Sequence, residues 1–79
     1  MSRATEFRIT VMVDGVVAIR VSGVGSITKY IEFRDVMMTM DRRNLNGEIW
    51  MTEAGAENWD VFTYKAGDGE AVLVRSEPK

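Results

Sequence analysis

Three stretches of this chain hold residue types that could do chemistry: Asp68-Gly69-Glu70, Gly23-Val24-Gly25-Ser26, and the carboxylates scattered over residues 48–70. Two acids around a glycine are a fragment of an oxygen-rich cation loop, which needs several carboxylate and carbonyl ligands at loop spacing. The remaining ligand positions of the calcium-loop pattern are missing, so Asp68 and Glu70 read as hairpin residues. A glycine-rich turn before a helix can cradle phosphate with backbone N–H groups. Here the later glycines, the lysine and the strand–helix–strand setting are absent, so the stretch reads as a connector and Ser26 as a helix N-cap.

The 79 residues contain no histidine and no cysteine. That removes the side chain that titrates near neutral pH, the strongest nucleophile, and the usual ligands of zinc, copper, haem and iron–sulfur clusters. No serine has a histidine to activate it. Paired carboxylates could still act as acid and base if one were buried, but each Asp and Glu reads as a turn residue or part of a solvated face. The expectation is a protein that is not an enzyme and that holds no metal or cofactor.

Size bounds the rest. The chain reads as one domain over 1–79, a whole small gene product, with hydrophobic content of 46% and charge of 28% that fit a folded core. No apolar run approaches the roughly 20 residues that span a bilayer. The N-terminus lacks the apolar stretch of a secretory signal, so the expected location is cytoplasmic.

The elements follow from periodicity. Phe7, Ile9, Val11 and Val13 alternate with Glu6, Arg8, Thr10 and Met12, which predicts a strand ahead of Asp14-Gly15. A second strand runs from Val16 to Ser22. A three-residue loop, Val13-Asp14-Gly15, pairs Val11 with Val17, Ile9 with Ile19 and Phe7 with Val21, keeping the large apolar residues on one face. It predicts a G1 bulge with Gly15 left-handed, and a marked loss of stability in Gly15→Val. Residues 48–53 read as a third strand. Residues 59–65 and 71–75 read as a closing hairpin around Gly67-Asp68-Gly69, with Tyr64 opposite Val72 and Phe62 opposite Val74. Residues 26–44 fit a helix with Tyr30, Phe33, Met37 and Met40 as its apolar stripe, widened by Ile27, Ile31 and Met38; a strand is the competing assignment. The expected fold is α+β, a small antiparallel sheet of about five strands with one helix packed on a face, ordered ββαβββ. The alternative is an all-β sandwich or barrel.

Charge suggests what such a domain would touch. Residues 1–43 carry seven basic and five acidic side chains, while residues 44–79 carry three basic and seven acidic ones, a net of −4. This asymmetry points to a non-enzymatic protein-binding module whose acidic surface meets a protein partner with a basic surface. The expected contact residues are Glu48, Glu53, Glu57, Asp60, Asp68 and Glu70, with Trp59 as anchor. One tryptophan should fill the core and the other serve the interface. Small acidic domains without catalytic groups are often inhibitors or adaptors. Mobile-element anti-defence proteins, anti-CRISPR inhibitors among them, are one such group, and no motif here identifies it. With pI ≈ 5.0 and no stacking-aromatic motif beside the basic residues, no direct nucleic-acid contact and no membrane contact is expected. The alternative is a small structural protein forming homo-oligomers through an edge strand or the methionine-rich helix.

Overall fold

The structure, a computed structural model, describes residues 5–79; the first four residues of the N-terminus, read above for a secretory signal, lie outside them. The elements run β1 (Glu6–Val13), β2 (Val16–Val24), α1 (Ser26–Arg43), β3 (Gly47–Glu53), β4 (Asn58–Tyr64) and β5 (Val72–Pro78). They form one antiparallel sheet in the order β2-β1-β3-β4-β5, with α1 across one face. This is the α+β arrangement that the periodicities predict.

The core forms where α1 meets the inward face of the sheet. Phe7, Ile9 and Val11 of β1 are buried with Ile49 of β3, Tyr64 of β4, and Val36 and Met40 of α1. β1 is flanked by β2 and β3, so its alternation resolves into one buried and one outer row. In α1, Phe33, Val36, Met37 and Met40 fall at i, i+3, i+4 and i+7, the spacing of one helical face. The expected stripe is therefore corrected. Val36 belongs to the core, whereas Ile27, Tyr30, Ile31 and Met38 are exposed, at 76%, 63%, 56% and 51%.

Both hairpins also depart from the expected registers. Val13 pairs Val16, leaving a two-residue turn in which Asp14 (φ 52°) and Gly15 (φ 77°) are both left-handed. A bulge at Ala18 then restores the parity, so Val11 faces Ile19, Ile9 faces Val21 and Phe7 faces Gly23. The preference for apolar residues on one face is met by a bulge within β2 rather than by a longer loop. β2 also continues through Gly23, whose missing side chain leaves room for the Phe7 ring. At the other end, Thr63 faces Val72 and Phe62 faces Leu73, and a bulge at Val74 sets Val61 opposite Arg75. Tyr64 has no partner in β5. It turns to the helix, donating its hydroxyl to Asp41 Oδ1 at 2.6 Å.

The helix ends differ in one further respect. Gly25 occupies the N-cap, and Ser26 is the first helical residue and makes no capping hydrogen bond. Asn44 closes the C-terminus in the left-handed conformation, after Arg42 and Arg43, which suit the negative end of the helix dipole.

Candidate interaction surface

Among the described residues one helix covers one face, and no second layer covers the outer face of the sheet. The register lays its residues in rows. Arg20, Thr10, Trp50, Val61 and Arg75 form one row across all five strands, and Ser22, Arg8 and Thr52 begin the next, with Trp59 opposite Glu77. Trp50 and Trp59 meet edge to face, centroids 6.2 Å apart. Val61 is fully buried although no helix lies over it, because it faces Trp50 across the strands and stands two residues from Trp59. Both indoles are half-buried on this face. Neither fills the core, which corrects the expectation that one would.

Polar contacts lock this aromatic pair. Glu48 Oε2 accepts from Arg75 Nη1 at 2.7 Å and Oε1 from Nη2 at 3.2 Å, while Trp50 Nε1 donates to Oε1 at 3.1 Å. The Arg75 guanidinium lies 5.6 Å from the Trp50 ring centroid. Arg75 holds the Glu48 carboxyl below the usual carboxylate range, and Trp50 adds to this. Further along, Arg8, Arg20, Thr10, Ser22 and Trp59 line a shallow recess of about 430 Å³. Among the described residues neither Arg8 nor Arg20 forms an ion pair.

The anticipated contact residues fall in three places. Glu53, Glu57 and Asp60 come together on the helix side, lining a recess of about 310 Å³ with Lys29 and Ser76, where Lys29 pairs with Glu53. Glu48 and Trp59 belong to the outer face. Asp68 and Glu70 lie in the β4–β5 connection, near the site where Asp41 also accepts the Gly67 N–H at 2.7 Å. Those two hydrogen bonds hold the Asp41 carboxyl below its ordinary range, and burial pushes the Tyr64 hydroxyl up.

The Trp50–Arg75 contact was not among the expected site residues. Its parity was legible, since Trp50 alternates with Ile49 and Met51; the pairing of Val61 with Arg75 depends on the Val74 bulge, which leaves no sequence signal. No helix among the described residues is long and apolar enough to cross a membrane, and they hold no cluster of three or more carboxylates positioned for a metal ion. No family model matches the chain, and neither a curated protein nor a solved structure shows significant similarity to it.

Proposed function

We propose that this chain is a non-enzymatic protein-binding inhibitor that docks the acidic half of its sheet onto a basic, nucleic-acid-binding surface of its target, in the manner of mobile-element anti-defence proteins such as anti-CRISPR inhibitors. One observation carries this reading. The strand order makes β3, β4 and β5 neighbours, so the net −4 of residues 44–79 is gathered into one half of the molecule. Had the strands interleaved, the same charges would have been averaged out. Within that half, the corner where Glu53, Glu57 and Asp60 meet offers the negative charge that a nucleic-acid groove attracts, and such complementarity governs association rate and specificity. Glu57 and Asp60 are its foremost contacts, because they share the corner recess and form no ion pair among the described residues.

The test captures a partner with the tagged chain and measures whether that partner still binds nucleic acid. The expected result is competition, weakened as salt rises and abolished in Glu57→Lys/Asp60→Lys. Capture that is insensitive to both salt and charge reversal overturns the acidic-surface reading. A second reading, self-assembly, draws on the exposed Ile27, Ile31 and Met38 of α1 and on Val72, Leu73 and Val74 of the edge strand β5. Light scattering across a concentration series separates it from a monomeric inhibitor.

A further inference from the structure

The acidic half is matched by an opposite feature on the other half. Arg8 of β1 and Arg20 of β2 stand diagonally on the outer face, since Arg8 pairs Ser22 and Thr10 pairs Arg20. Both are exposed, and both line the recess that Trp59 closes from β4. In sequence the aromatic beside Arg8 is Phe7, which faces the core, and Trp59 is far away; the fold brings the indole to the basic pair. Thr10 and Ser22 add hydroxyl groups to the same recess. Beyond Trp59 the surface continues to Trp50 and the Arg75 guanidinium. Glu6, two residues before Arg8 on the same strand, marks the acidic rim at one end.

We propose that this outer face binds single-stranded nucleic acid, with Arg8 and Arg20 on successive phosphates and Trp59 stacked against a base. Two cations without carboxylate partners among the described residues fit a polyanion. An indole beside them is the further element that a base requires and that a carboxylate peptide does not use. An extended, helix-free sheet presents these groups along a line, as an unpaired strand demands; a duplex keeps its bases stacked inside and offers the indole nothing. The site goes beyond the protein-docking reading above and needs only the purified chain, so either can fail without the other.

Both tryptophans of the chain lie on this face, so intrinsic fluorescence reports on it directly. Titration with a short oligothymidylate at low salt should quench the emission to saturation. The affinity should fall with salt at a log–log slope of about −1.4, the value for two phosphates at about −0.7 each. Arg8→Ala and Arg20→Ala should each weaken binding roughly fivefold while leaving the circular dichroism spectrum and melting unchanged. Duplex DNA of the same length should bind more weakly than the single strand. The proposal is overturned by absence of quenching, by equal affinity for polyglutamate (an acidic-peptide surface) or for duplex, or by arginine variants that bind like the parent.

Discussion

Asp41 and Tyr64 join the last turn of α1 to the end of β4. The Tyr64 hydroxyl donates to Asp41 Oδ1 at 2.6 Å and accepts the Gly69 N–H at 3.2 Å, while the same Asp41 oxygen accepts the Gly67 N–H. A long connection between β4 and β5 is thereby anchored to the helix through one carboxylate. The hydrogen bonds lower the Asp41 pKa. A carboxylate with a depressed folded pKa contributes stability above its unfolded value, near pH 4, and loses it as pH falls through the folded value. Acid unfolding should therefore steepen below about pH 4 in the parent, and Asp41→Asn should flatten that profile while lowering stability at neutral pH. Tyr64, with a raised pKa, contributes below its ordinary value and loses this at strongly alkaline pH; Tyr64→Phe should remove the alkaline step. Chemical denaturation across a pH series reads both, and superimposable profiles for parent and variants would rule the anchor out.

The first hairpin yields a prediction about a deletion. Ala18 is the unpaired residue between Val17, opposite Met12, and Ile19, opposite Val11. Removing Ala18 excises the bulge and leaves a regular ladder behind a two-residue turn, with Ile19 and Val21 still facing the helix. The deletion should fold and cost about 1 kcal/mol or less, since no buried side chain changes face. Unfolding of the deletion variant would mean that the bulge itself is needed, for example to set the twist of this edge.

That hairpin also marks how far the sequence reaches. The alternation of Phe7, Ile9 and Val11 with Arg8, Thr10 and Met12 fixes which faces meet, because the strand period is two. It leaves open whether a longer loop or a bulge delivers the match, since both satisfy the same parity. The helix was ambiguous for a related reason. Apolar residues occur on both sides of α1, Val36 and Met40 inward and Ile27, Ile31 and Met38 outward, so periodicity alone gives too broad a stripe. The candidate surface was the least legible part. Arg8 comes near Trp59, and Trp50 meets Trp59 and Arg75, only through the strand order β2-β1-β3-β4-β5, which no local pattern encodes.

Gly47 and Gly55 should both lose stability to alanine, but by different amounts and for different reasons. A methyl group on Gly47 would collide with the backbone carbonyl oxygen of Met12, and neither strand can yield without breaking the β1–β3 ladder. Gly47→Ala should cost about 3 kcal/mol or more, which for this small domain means extensive unfolding on mild heating. Gly55 sits in the β3–β4 turn with φ 88° and open space around its Cα. Alanine there meets only backbone strain, about 1–2 kcal/mol. Thermal melts of both variants test the difference; equal costs would mean that the close approach of β3 to Met12 is absent in solution.

The two apolar sides of α1 give the sharpest test of the packing. Met40 is fully buried and Val36 is 2% exposed, whereas Ile31 and Met38 point away from the sheet. Met40→Ala removes a core side chain and leaves a cavity, at a cost of about 2–5 kcal/mol. Ile31→Glu and Met38→Glu place charges where water already is, and each should change stability by only about 0.5 kcal/mol. If the outward stripe covers a partner or a second copy, the same two substitutions should abolish that association while leaving the monomer's melting unchanged. Melting and light scattering on the four proteins, parent included, separate these roles. A large destabilisation by Ile31→Glu at dilute concentration would instead put Ile31 in the core and rotate the helix from its present seat.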